Sequence, residues 1–222
     1  MHLSLQNLST VQDKVNEIIN KKQLKTEPKI IVVSKTFPLS KVMPLIESGH
    51  IHFGENKVQE AEDKWGEVKS NNSNLKLHMV GKLQTNKAKK ALKLFDYIHS
   101  LDSRKLALKL DQCEKEINKK INYFVQVNLA NEDKKSGISL KDLNDFYSYC
   151  TKELSLKVVG LMCLPPLDSN SEKYFKILKN SAEKLKLNEL SMGMSSDFEQ
   201  AISNNSTYLR LGTKILGERT ST

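Results

Sequence analysis

The sequence predicts an α/β protein of one domain spanning residues 1–222, a (β/α)8 TIM barrel with an extra N-terminal helix. Three observations lead there. Eight short apolar runs recur along the chain, at 30–33, 51–53, 77–80, 97–99, 123–128, 158–162, 189–192 and 208–211. Amphipathic helical patterns fill most of the intervals between them. Polar residues able to do chemistry gather just after the runs, where a parallel barrel assembles its site. An open doubly wound sheet is the alternative, but no Gly-x-Gly-x-x-Gly follows the first run.

Leu8, Val11, Val15 and Ile18 fall at helical spacing and predict the leading helix, whose basic tail ends before Pro28. Ile30-Ile31-Val32-Val33 reads as a strand buried on both faces, and Pro38 forces the chain out of it. Lys35 therefore stands at a strand end, where lost solvent favours the neutral, nucleophilic amine. Taken alone, such a lysine is more simply a stem on the core with its head in water.

The second run leads into Gly54-Glu55-Asn56 and on to Glu60, where the glutamates either orient Asn56 or pair with nearby lysines. The third carries His78, a ligand contact or a hydrogen-bonded barrel histidine. The fifth ends in Gln126 and Asn128, and the sixth in Met162. Helical stripes follow at Leu106, Leu110, Cys113 and Ile117, and at Phe175, Leu178, Ala182 and Leu185. Between them, Ser139 is expected to cap a helix bearing Leu140, Leu143, Tyr147, Cys150 and Leu154. Ser196-Asp197-Phe198-Glu199 reads as a capping box.

The seventh run ends in Ser191-Met192-Gly193-Met194-Ser195-Ser196 and the eighth in Arg210-Leu211-Gly212-Thr213. Gly193 permits a tight turn, and the hydroxyls and amides of Ser195, Ser196, Gly212 and Thr213 suit an anion. Either piece alone is a capped helix or a tight barrel loop. Together, opposite a strand-end lysine, they form a phosphate cup facing an amine able to make a Schiff base. Pyridoxal 5'-phosphate requires that pairing.

Composition bounds the other readings. The net charge of +9 comes almost wholly from lysine spread over helical segments, with no aromatics interleaved in the densest cluster. That pattern describes a solvated surface with weak polyanion affinity rather than a specific nucleic-acid interface. No apolar stretch reaches membrane-spanning length, and residues 1–11 lack the pattern of a signal peptide. Cys113, Cys150 and Cys163 are widely spaced, as expected of reduced thiols in a cytoplasmic protein. No metal-ligand spacing and no Gly-x-Ser-x-Gly elbow occur.

The chain resembles the pyridoxal phosphate homeostasis protein family, barrel proteins related to the N-terminal domain of alanine racemase. The matching segments are Val32-Val33-Ser34-Lys35-Thr36, Phe53-Gly54-Glu55-Asn56 with Val58-Gln59-Glu60, and His78-Met79-Val80-Gly81 through Lys87. They continue in order through Gln126-Val127-Asn128, Lys135-Ser136-Gly137-Ile138, Gly160-Leu161-Met162, Leu190 to Ser195, and Arg210 to Gly217. The resemblance implies that Lys35 carries the cofactor as a reversible Schiff base. It implies phosphate contacts from Ser195, Gly212 and Thr213, with Ser191 added, and places Arg210 beside the pyridine nitrogen. Asn56, His78 and Met162 are implied to line the pocket. Leu216 departs from the family, which tends to carry an aromatic there.

By the same resemblance, the function is to bind, buffer or deliver pyridoxal phosphate, without enzymatic turnover. A weak single-domain racemase is the alternative. The sequence ends soon after the eighth run, leaving no room for the second domain that supplies the other acid/base of related racemases. A monomer is therefore expected, with pyridoxal-phosphate-dependent apoenzymes as possible recipients and Lys135 as a candidate second capture lysine.

Overall fold

Side-chain alternation along β1 (Lys29–Val33) separates two cores. Ile30 and Val32 pack outward into the large apolar cluster beneath the helices. Ile31 and Val33 point the other way, into a smaller cluster with Phe124, Met162 and Tyr208. Both faces of the strand are covered, which explains an unbroken apolar run where a half-exposed strand would alternate.

The computed structural model describes residues 2–130, 136–166 and 170–218; Lys135 lies outside them. The remaining strands are β2 (His52–Glu55), β3 (Lys76–Met79), β4 (Tyr97–Leu101), β5 (Asn122–Asn128), β6 (Ile138–Ser139), β7 (Val158–Met162), β8 (Glu189–Ser191) and β9 (Tyr208–Leu211). All pairings are parallel. Around the ring the order is β1-β2-β3-β4-β5-β7-β8-β9, closed by β9 against β1 with Arg210 opposite Ile31. The two-residue β6 adds to β5 outside this ring of eight.

The helices are α1 (Leu3–Lys22), α2 (Leu39–Glu47), α3 (Val58–Asn71), α4 (Ala88–Leu94), α5 (Arg104–Ile117), α6 (Leu143–Ser148), α7 (Ser171–Lys184), α8 (Phe198–Ser203) and α9 (Thr213–Leu216). The extra helix α1 buries Val11, Val15 and Ile18, and Asn7 Nδ2 donates to the Ile215 carbonyl at 3.0 Å, fastening it to α9. Leu216, the departure from the family pattern, is buried in the outer core.

Two expected caps are absent. Ser139 belongs to β6 and its hydroxyl donates to Asp142, so the helix starts only at Leu143 and leaves Leu140 exposed. The stripe then continues through a π turn, Tyr149–Glu153, that still buries Cys150. The Ser196–Glu199 capping box does not form, because α8 starts at Phe198. The Asp197 carboxylate instead accepts the Met194 amide at 2.6 Å and closes the preceding loop.

The barrel interior is unusually polar and aromatic. The His78 ring stacks on Tyr97 at 4.4 Å, and the His99 ring on Phe124 at 4.3 Å. Gly54 leaves space among them, since a side chain there would meet Ile31 at 2.8 Å.

Candidate functional site

Lys35 follows Ile31 and Val33 at two-residue intervals, so it continues the inward register of β1 beyond the strand end. It enters a cavity of about 460 Å³ at the mouth of the barrel. Asn56, Ser195, Ser196, Arg210, Gly212 and Thr213 share that cavity, with Val33, Phe37, Val80, Leu164 and Met194 as its apolar wall.

The backbone carrying Lys35 is clamped from behind. Ser34 Oγ donates to Glu55 Oε1 at 2.7 Å, and Lys64 Nζ donates both to the Ser34 carbonyl at 2.8 Å and to Glu55 Oε1 at 2.9 Å. Trp65 Nε1 gives Glu55 a further bond at 3.0 Å. On the other side of Lys35, the Thr36 amide donates to Glu60. Thr36 sits at φ 65°, a left-handed conformation that a β-branched residue rarely adopts, so the Glu60 bond secures a strained step. Glu60 also receives Lys64, four residues along α3, at 3.3 Å. Glu55 is fully buried and the Lys64 side chain is 9% exposed, which makes this pair costly to break.

The part of the cavity where an anion is expected is built from the loop after β8 and the start of α9. Gly193 adopts φ +95°, and a side chain there would strike Ala201 at 2.6 Å, so only glycine fits the turn after β8. The Lys214 amide reaches Ser195 Oγ at 3.4 Å, bringing this loop against the start of α9. Thr213 and Gly212 open that short helix beside Ser195, and the three residues face Lys35 across one cavity.

Arg210 forms the floor. Its Nη1 donates to Ser191 Oγ at 2.6 Å and its Nη2 to the Cys163 carbonyl at 2.8 Å. Burial lowers its pKa, opposed in part by the Cys163 and Asp197 groups. No carboxylate ion-pairs with Arg210 among the described residues. Burial pushes the Cys163 and Cys150 thiols up to about 12, which leaves them inert packing groups.

Of the residues singled out in the sequence, Lys35, Asn56, Ser195, Arg210, Gly212 and Thr213 meet at the cavity. Three others lie deeper. Ser191 is fully buried and touches Arg210. His78 and Met162 are also fully buried and do not line the cavity, contrary to the expectation for them. The reason is depth. His78 is opposite Gly54 within the sheet, and Val80, the next inward residue, occupies the mouth. Sequence reasoning missed Lys64 and His99. The spacing of Glu60 and Lys64 on one helix face, and of Tyr97 and His99 on one strand face, carried that information.

The family model for the alanine racemase N-terminal domain matches residues 6–220. The chain belongs to that family. Among alanine racemase N-terminal domain relatives, the chain is 32% identical over 225 residues to the pyridoxal phosphate homeostasis protein of Pasteurella multocida, covering 96% of this chain and 97% of that one. The protein of the same name from Escherichia coli K12 is 32% identical over 223 residues, covering 96% and 95%. Among solved structures, PipY of Synechococcus elongatus PCC7942 with pyridoxal phosphate bound aligns with a TM-score of 0.80 at 33% identity. That alignment covers 91% of this chain and all of PipY. Alanine racemase of Clostridium difficile 630 shares the fold at a TM-score of 0.69 and 15% identity, this chain spanning 57% of its length.

Proposed function

We propose that this chain is a pyridoxal phosphate homeostasis protein, which holds pyridoxal 5'-phosphate covalently at Lys35 and buffers or delivers it. The observation that carries the reading is the meeting, in one cavity, of the Lys35 amine with the Ser195, Gly212 and Thr213 cup and the Arg210 guanidinium. The fit rests on chemistry as well as on shape. Arg210 is a buried cation whose two acceptors, Ser191 and the Cys163 carbonyl, are neutral, so an electron-rich ring atom or anion offsets a standing cost. Pyridoxal phosphate supplies an aldehyde that condenses reversibly with a primary amine, and a phosphate for the cup.

The residues then divide the work. The Glu55–Lys64–Glu60 clamp fixes the backbone from which the Lys35 amine reaches the cavity. Hydroxyls and amides of Ser195, Gly212 and Thr213 would hold the phosphate, and Asn56 would help to enclose the ring. Arg210 only donates, so a pyridine nitrogen held beside it would be left unprotonated and the ring would be a poor electron sink. Apart from Lys35 and Arg210, the described residues that line the cavity bear no titratable side chain. This supports a binding role without turnover, because racemisation needs a second acid/base across from the lysine.

The same proposal takes residues 1–222 as one barrel domain acting as a monomer in the cytoplasm, serving apoenzymes that need pyridoxal phosphate. No helix among the described residues is long and apolar enough to cross a membrane. The deciding experiment is borohydride reduction of the loaded protein followed by peptide mapping. The label is expected on Lys35, with no turnover across a panel of amino acids. A label elsewhere, or none, overturns the assignment. Exchange of α-protons with solvent deuterium that disappears in Lys35→Ala favours the racemase instead.

A further inference from the structure

A line of side chains runs through the barrel from its floor to Arg210. His52 Nδ1 lies 3.0 Å from His78 Nε2, and His78 Nδ1 lies 2.9 Å from His99 Nε2. His99 Nδ1 is 2.7 Å from Ser191 Oγ, the atom that accepts from Arg210 Nη1 at 2.6 Å. Each link joins a different strand, from β2 through β3 and β4 to β8 and β9. His78, His99 and Ser191 are completely buried, while His52 at the far end is half-buried.

We propose that His52, His78 and His99 are positioning residues, a hydrogen-bonded relay that acts through Ser191 to fix the Arg210 guanidinium and to couple its hydrogen-bonding state to the barrel floor. The inference rests on the pyridoxal phosphate reading only for what Arg210 meets in the cavity. The relay itself is a property of the chain.

Proton counting gives the relay a direction. Arginine only donates, so Ser191 Oγ must accept from it. A hydroxyl that accepts from a cation and passes its own hydrogen onward makes the stronger acceptor, because hydrogen bonds in a chain polarise one another. The Ser191 hydrogen therefore goes to His99 Nδ1. His99 must then carry its hydrogen on Nε2 and donate to His78 Nδ1, and His78 must donate from Nε2 to His52 Nδ1. All three imidazoles hold the same tautomer, with the hydrogen on Nε2.

This requires every ring to be neutral, and the surroundings enforce it. Burial holds His78 and His99 well below the usual imidazole range. Neighbouring cations act in the same direction, Arg210 on His99 and Lys69 and Lys29 on His78. Burial, His50, Lys29 and Lys76 lower His52 to about 4 against the opposing pull of Asp96. The phenols of Tyr97 and Tyr208 pack on the rings and add no charge, since burial raises both. Stacking on Tyr97 and Phe124 fixes ring planes, so the hydrogen bonds are the directional element.

Nitrogen-15 NMR of the histidine and arginine side chains, with and without pyridoxal phosphate, tests the relay. In the cofactor-free protein all three rings are expected as neutral Nε2–H tautomers between about pH 6 and 8. On adding pyridoxal phosphate, His99 and His78 resonances should shift although neither ring lines the cavity. His78→Phe keeps a ring to stack on Tyr97 and breaks both links of His78, to His52 and to His99. It should move the Arg210 Nε resonance in the cofactor-free protein and weaken pyridoxal phosphate binding about threefold to tenfold, with the borohydride label still on Lys35. Mixed or Nδ1–H tautomers overturn the relay, as does an Arg210 resonance untouched by His78→Phe. The wild-type tautomers decide the matter even if the variant does not fold. Failure of wild-type protein to label at Lys35 overturns the cofactor reading and leaves the relay to be judged on the cofactor-free resonances.

Discussion

Arg210 donates to Ser191 Oγ at 2.6 Å, and that bond does not neutralise the guanidinium. A buried cation with only neutral acceptors is retained at a cost in folding, which points to a ligand-binding use. Arg210→Met should therefore separate stability from binding. Its cofactor-free form is expected to melt at or above the wild-type temperature, while pyridoxal phosphate affinity falls about tenfold or more. Thermal melts paired with absorbance titrations read both quantities. A variant that loses stability and keeps its affinity would contradict this account of Arg210.

The Glu55–Lys64 pair should behave in the opposite way, because each charge answers the other. Lys64→Met leaves the Glu55 carboxylate buried with Ser34 and Trp65 as its remaining donors. The expected loss is about 3–5 kcal/mol of stability, measured by urea unfolding. The double variant Glu55→Gln, Lys64→Met should recover much of that loss, since no uncompensated charge remains. The same double variant should slow labelling of Lys35, whose backbone has lost the bond to the Ser34 carbonyl.

Lys35 and Arg210 were legible in the sequence because strand alternation and strand ends are local properties. Residues 31, 33 and 35 share a face by spacing alone, as do 208, 210 and 212. Depth along the barrel is not local. It depends on how neighbouring strands are staggered, so His78 and Val80 look equivalent in sequence until pairing places His78 opposite Gly54. Met162 sinks for the same reason, opposite Ser191 and Gln126. Likewise, nothing local to Ser196 reveals that Asp197 will take the Met194 amide and delay the start of α8. A strand-end amine facing a phosphate cup already pointed to the cofactor, and the family resemblance assigned the residues their roles.

The phosphate cup makes a prediction about ligand choice. Ser195, in the loop after β8, and Thr213, at the start of α9, are brought together at the cavity, and neither lies in the sheet that closes the barrel. Removing both hydroxyls, in Ser195→Ala with Thr213→Ala, should weaken pyridoxal phosphate by about tenfold to a hundredfold. Binding of pyridoxal, which lacks the phosphate, should change little. Competition titrations with the two compounds measure the difference, and equal losses for both would remove the cup from its assigned role.

The histidine line also predicts how stability follows pH. His78 and His99 have folded pKa values pushed well below the ordinary value of about 6.5 that the unfolded chain restores. Above that value both states bind no proton at these rings, and stability is insensitive to them. As pH falls through it, the unfolded chain takes up protons that the folded barrel refuses, so stability drops with pH. Each fully buried ring contributes about 1 kcal/mol of loss between about pH 6.5 and 5.5. His52 adds to the slope until its folded value of about 4 is reached. Cofactor-free protein should accordingly show a urea midpoint that declines below about pH 6.5, and His99→Phe should flatten that decline by one ring's share. A midpoint level down to about pH 5 would mean that these imidazoles accept protons inside the barrel, which a chain of neutral rings does not allow.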